Sequence, residues 1–211
     1  TAPATPIKVP HDTRALAAAT MPPVYSPANT DTAKMLTALL VAERITGWSD
    51  PVFVTGNMMR GTIDEPVARN VYAEHYGAVT EVGFIVRDDW GFSIGYSPDG
   101  LVGDDGLIEI KSRLSRVQLT SILAGEVPAE NVAQIQCGLL VSGRKWCDYV
   151  SFCGGMPLWR TRVYPDAEWQ RAIVEAVIQF EENAAAMIAD YTAAVDGLPM
   201  TERTTYDLEI V

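Results

Sequence analysis

At 211 residues, 48% of them hydrophobic, the chain is long enough for one domain with a full core and too apolar to be disordered. No apolar run reaches the roughly eighteen residues that a membrane span needs, and the N-terminus lacks the basic region and apolar core of a signal peptide. Three cysteines, Cys137, Cys147 and Cys153, form no CxxC pair, which argues against a disulfide framework and for a reducing compartment. The only histidines are His11 and His75, too few for a His-rich zinc site or a Ser-His-Asp triad, so each is expected at the surface or a helix end. The formal net charge of −11 permits a nucleic-acid partner without suggesting one. The basic residues Arg60, Arg69, Arg87, Lys111, Arg113, Arg116, Arg144 and Lys145 all fall between positions 60 and 145. The C-terminal flank is acidic, with Glu175, Glu181, Glu182 and Asp190.

Residues 1–30 are rich in Pro, Thr and Ala and read as an irregular arm. Asp31 is positioned to cap a helix running to Ile45, with Met35, Leu36, Leu39, Leu40 and Ile45 on its apolar side and Gly47 ending it. A second helix is expected from about Ile63 to Tyr76, with Pro66 in its first turn or marking a kink. Strands follow near Val82–Val86, Gly91–Ser97 and Leu107–Ser112. A helix near Val117–Leu123 precedes another from about Pro128 to Gly143. Two strands fit Trp146–Phe152 and Leu158–Tyr164, and a long helix runs from about Asp166 to Ala194. The segment from Gly197 to Val211 reads as a peripheral tail. No repeat or compositional break divides the chain, so one domain is expected over residues 31–196. The order of elements implies an α/β domain with a mixed sheet and helices on both faces.

The chemistry concentrates between Ser97 and Lys111. Ser97-Pro98-Asp99-Gly100 opens this stretch and Glu109-Ile110-Lys111 closes it, with Gly103-Asp104-Asp105-Gly106 between them. An Asp-Gly pair between apolar residues signals a hairpin. Folding back there sets Asp99 across from the Glu109–Lys111 strand. Glu109 and Lys111 are two apart and share one strand face. Two carboxylates and an ammonium then converge, a set of hard oxygen ligands suited to Mg²⁺ or Mn²⁺. By itself the pattern also fits a solvent-facing hairpin with ordinary acidic residues. Leu107, Ile108 and Ile110 favour the site, because a carboxylate and a lysine in a buried strand need a partner.

Two further groups lie outside the hairpin. Arg60-Gly61, Glu65-Pro66 and Ala68-Arg69 place Glu65 and Arg69 four apart on one helix face, with a surface ion pair as the plain reading. Gln134-Ile135-Gln136 puts two glutamines on different sides of a helix. One of them shares the side of Ala133, Cys137 and Leu140 and must find backbone partners or a polar site there.

In this order, the Arg-Gly…Glu-Pro…Ala-Arg helix, the Ser-Pro-Asp-Gly…Glu-x-Lys hairpin and the Gln-x-Gln helix resemble the lambda-exonuclease-like, or YqaJ-like viral recombinase, branch of the PD-(D/E)xK nuclease superfamily. The similarity covers roughly residues 31–190. It implies a restriction-endonuclease-like core and a Mg²⁺-dependent enzyme, with Mn²⁺ as a substitute. That enzyme would hydrolyse linear double-stranded DNA from its 5′ ends and leave single strands for a recombinase that anneals them. It also implies a ring-shaped homotrimer that threads DNA, working in the cytoplasm of a bacterial host of a phage or prophage. Carried over by position, Asp99 and Glu109 would bind the metal with the carbonyl of Ile110, and Glu65 would be an outer carboxylate. Lys111 would orient the attacking water, and Gln134 would bond near that water or the lysine. Ser97 would contact a DNA phosphate. Arg60, Arg69, Arg113 and Arg116 would serve DNA binding, the last two beside the channel. The Arg…Ile-Thr-Ala-Ser-like segment with which the family holds a terminal 5′-phosphate is not found before Asp31. Arg14 and Ser26 are the loose candidates for that task.

Three other readings stay open on the residues. A structure-specific or restriction-type endonuclease would keep the same hairpin and cut inside the strand. A non-catalytic DNA-binding module would have no need of Asp99, Glu109 and Lys111 together. A structural or interaction protein would show no metal-dependent cleavage.

Overall fold

The computed structural model describes residues 25–203. His11, Arg14, most of the expected arm and the end of the tail lie outside the described residues. Thr30 caps the first helix, α1 (Asp31–Thr46), by accepting from the amide of Ala33. Asp31 therefore falls in the first turn instead of at the cap. The second helix, α2 (Gly56–His75), begins seven residues earlier than the apolar spacing suggests. Thr55 caps it by accepting from Met58 N, so Pro66 lies in the helix interior.

Seven strands follow in chain order with three more helices. They are β1 (Val79–Thr80), β2 (Ile85–Arg87), β3 (Ile94–Tyr96), β4 (Gly100–Val102) and β5 (Gly106–Ser112). Next come α3 (Ser115–Ala124), α4 (Ala129–Ser142), β6 (Trp146–Phe152), β7 (Trp159–Val163) and α5 (Ala167–Ala194). The main sheet has the order β1-β4-β5-β6-β7, and β2 and β3 form a separate ribbon. Only the β5–β6 pair is parallel, and the two helices α3 and α4 make that crossover. The sheet is mixed and flanked by helices, as the order of elements implies. Among the described residues, no helix is long and apolar enough to cross a membrane.

Alternation along β5 and β6 divides the core in two. Leu107, Cys147 and Tyr149 face α4 and α5, together with Ile94, Tyr96, Ile135 and Leu139. Ile108, Ile110, Val150 and Phe152 face α2, against Ala68 and Tyr72. Both strands are buried on both faces, as a parallel pair covered by helices must be. The α1 helix departs from its expected packing. It lies against α5 and buries Val41 alone, whereas Met35, Leu36 and Leu39 are exposed.

Candidate active site

The hairpin turns at Gly103, whose φ of +52° suits glycine, and the register pairs Gly100 with Ile108. Asp99 therefore stands beside Glu109, as the Asp-Gly signal implies. The carboxylate of Asp99 accepts from the Ile110 amide at 2.6 Å. Glu109 is 1% exposed, and both of its oxygens are engaged. Lys111 Nζ donates to Oε1 at 2.6 Å, and the Tyr96 hydroxyl donates to Oε2 at 2.6 Å. Lys111 Nζ also donates to Gln134 Oε1 at 2.9 Å. Strand β5, the Asp99 corner and α4 thus bring Asp99, Glu109, Lys111 and Gln134 together.

The two glutamines divide as their helix positions require. Gln136 is buried, donating to the carbonyl of Tyr164 and accepting from the amide of Asp166 at the head of α5. Gln134 is exposed and faces the lysine. The buried glutamine is thus satisfied by backbone, and the exposed one serves the site.

The α2 residues sit around the same corner. Glu65 pairs with Arg69, whose Nε donates to the carbonyl of Asp99 at 2.8 Å and whose Nη1 reaches Glu81. This ion pair is part of the wall behind Asp99 and not a free surface bridge. Arg60 donates to Ser112 Oγ at 2.9 Å, and that hydroxyl donates to Asp64. Arg113 donates to Asn131 and Tyr149. Arg69 and Arg113 are therefore held by protein groups, with side chains 11% and 18% exposed, and neither is presented as an open cation. Arg116 and Ser97 are exposed, and Ser97 adjoins Asp99 through Pro98. Ser26 is exposed before α1.

Charge is concentrated without full compensation. Burial first, and then the neighbouring Glu109 charge, push the Asp99 carboxyl from 3.8 up to about 7. The Ile110 amide and Lys111 oppose that rise, while Glu65 adds to it. Burial and the Glu109 charge also push the Tyr96 phenol well up, which keeps it a hydrogen-bond donor. Among the described residues, no group of three or more His, Cys, Asp and Glu side chains is gathered as a metal cage, and Glu65 is paired with Arg69.

Sequence reasoning missed Tyr96, which is two residues before the proline of the motif and reads there as ordinary strand filling. It also missed Asp148, which is fully buried and bonded to Tyr72, Arg160 and Arg162 on the opposite sheet face. The signal for Asp148 was Arg160-x-Arg162, two cations with strand spacing that need a common anion. All three cysteines are free thiols, and His75 lies in the last turn of α2.

A mixed sheet flanked by helices, with a paired carboxylate and lysine at its central hairpin, defines a nuclease fold of the PD-(D/E)xK kind. The chain belongs to the YqaJ-like viral recombinase domain family, whose model matches residues 23–145. It is similar to the alkaline exonuclease LHK-Exo from Laribacter hongkongensis, with 31% identity and a TM-score of 0.69 over 79% of this chain and 89% of that one. The structure of LHK-Exo in complex with dAMP gives 34% identity and a TM-score of 0.73 over 82% and 89% of the two chains. A phage-related exonuclease from Haemophilus somnus 129PT shares the fold at 13% identity, with a TM-score of 0.60 over 86% and 90%. A search of curated proteins finds no match. Family and neighbours together support a nuclease role.

Proposed function

We propose that this chain is a Mg²⁺-dependent deoxyribonuclease that degrades one strand of linear duplex DNA from the 5′ end. The observation that carries the reading is the pair of carboxylates, half-buried Asp99 and buried Glu109, with Lys111 bonded to Glu109. Two such groups at one corner call for a further positive charge, and their hard oxygens suit Mg²⁺ or Mn²⁺. Asp99, Glu109 and the Ile110 carbonyl would hold the ion, with Glu65 as the outer carboxylate. When bound, such an ion makes a coordinated water a better nucleophile and offsets charge on the leaving oxygen. Lys111, held in place by Gln134, would orient the attacking water and stabilise the charge forming on it. Ser97, exposed two residues before Asp99, would contact a backbone phosphate. Arg116 and Arg60 add positive charge near the path of the DNA.

The complex of LHK-Exo with dAMP supports this reading, because a deoxynucleoside monophosphate is what stepwise hydrolysis from a DNA end releases. The resemblance adds the finer points: a ring-shaped homotrimer, double-stranded ends as substrate, an annealing recombinase that takes the single strand, and a host cytoplasm as the setting. Met35, Leu36 and Leu39 on α1, and Val52, Phe53 and Val54 after it, are exposed apolar residues of the kind an oligomer covers.

The test is a Mg²⁺ time course on linear duplex labelled at one 5′ or one 3′ end, beside covalently closed circular DNA. Early release of the 5′ label with the circle intact is expected. Cutting of the circle would replace this reading with an endonuclease, and early release of the 3′ label would reverse the polarity.

A further inference from the structure

One tyrosine joins the carboxylate site to the helix that carries Gln134. The Tyr96 hydroxyl lies 2.6 Å from Glu109 Oε2, and the residue is 5% exposed. Its ring lies flat on Gly138 of α4, so that a β-carbon at Gly138 would come within 2.5 Å of ring carbon Cζ. Gln134 is one turn earlier on α4 and bonds Lys111, which bonds the other oxygen of Glu109. Residues four apart share a helix face. One face of α4 therefore addresses both oxygens of Glu109, through Tyr96 on one side and through Lys111 on the other. The hydroxyl is not spare: Glu109 is buried, and its Oε2 has no other side-chain donor among the described residues.

We infer that Tyr96 is a positioning residue for the nuclease reaction, fixing the Glu109 carboxylate for metal binding, and that Gly138 exists to seat it. This rests on the metal reading of Asp99 and Glu109. The tyrosine acts through Glu109 and touches no reacting atom. A carboxylate held at both oxygens has one orientation, and that orientation decides whether it shares an ion with Asp99. Without the hydroxyl, the carboxylate is free to turn wholly toward Lys111. Partners behind a ligand typically contribute about ten- to a hundredfold to metal affinity or activity.

The experiment uses the full chain, with Mn²⁺ binding followed by loss of the free-ion electron paramagnetic resonance signal. Cleavage of linear duplex and thermal melting are measured on the same samples. The variants are Tyr96→Phe, Gly138→Ala, their combination, and Glu109→Ala. Tyr96→Phe keeps the ring in place but removes one hydrogen bond to the buried carboxylate, so a modest drop in melting is expected with the fold intact. It should weaken Mn²⁺ binding and lower kcat by about tenfold each, with KM for DNA unchanged. Gly138→Ala moves the ring and should have the same two effects. The combined variant should be little worse than either single one, because both act through one hydrogen bond. Wild-type Mn²⁺ binding and kcat in Tyr96→Phe would overturn the inference. So would a loss of activity that tracks melting alone while Mn²⁺ binding holds. If Glu109→Ala binds Mn²⁺ as wild type does, the metal reading itself falls, and that result is distinct from a failure of Tyr96 alone.

Discussion

Above about pH 7 the Asp99 carboxylate is ionised beside Glu109, with Lys111 as the nearest offsetting charge. A carboxyl whose pKa is higher in the fold than in the unfolded chain binds its proton more tightly when folded. Stability therefore falls as pH rises from about 4 to about 7, and the loss is complete above that window. The expected loss is about 4 kcal/mol for a shift of this size. Asp99→Asn removes the charge and should melt higher than wild type at pH 8 in the absence of divalent ions. At pH 4 the two should melt alike. Thermal denaturation followed by circular dichroism at both pH values checks this, and equal melting at pH 8 would mean that Asp99 carries no such burden. The same substitution should abolish cleavage, so stability and activity move in opposite directions at this residue.

At the scale of elements, the sheet is held from its far face by a group with no part in the proposed chemistry. Asp148 on β6 accepts from Tyr72 on α2 and from Arg160 and Arg162 on β7, and Arg162 lies over the Trp146 ring at 3.5 Å. Removing a buried carboxylate that binds two cations leaves both without their partner. Asp148→Ala should cost about 3 kcal/mol or more, read as a lower urea midpoint. An unchanged midpoint would show that the cluster is satisfied by water instead. Much of the fold was legible in the sequence. β5, β6 and α5 carry strong apolar patterns, and their bounds fall within a residue or two of expectation. What was hidden has physical causes. The β1 and β4 strands are two and three residues long, too short to show a period. Gly56, Gly61 and Pro66 mask the start of α2, which its Thr55 cap fixes. Met35, Leu36 and Leu39 read as a core face and are exposed, because periodicity reports an apolar side and not what covers it. The site was legible where a motif fixes backbone geometry, as at Asp99 and Glu109. It was not legible at Tyr96, whose role depends on α4, more than thirty residues away in sequence.

For the whole molecule, the charge of −11 sets the terms of any DNA contact. Acidic surfaces repel the backbone, so productive binding would have to come from locally basic groups, for which exposed Arg116 is a candidate. A ring of three chains would gather those groups around one channel and leave the acid outside. Cleavage should weaken steeply between about 50 and 200 mM salt, since each phosphate contact releases counterions. Light scattering should give three chains, and digestion should be processive. A monomer that cuts distributively would remove the ring from the account and leave the metal corner standing.

The most direct measurement of the central claim is the rate at which Glu109→Ala cleaves 5′-labelled linear duplex in Mg²⁺, set against wild type with and without EDTA. Wild type should cut in Mg²⁺ and stop in EDTA, and Glu109→Ala should lose about a hundredfold or more while still folding. Cleavage by wild type in EDTA, or by Glu109→Ala at more than about a tenth of the wild-type rate, a lenient bound for such a loss, would contradict the claim.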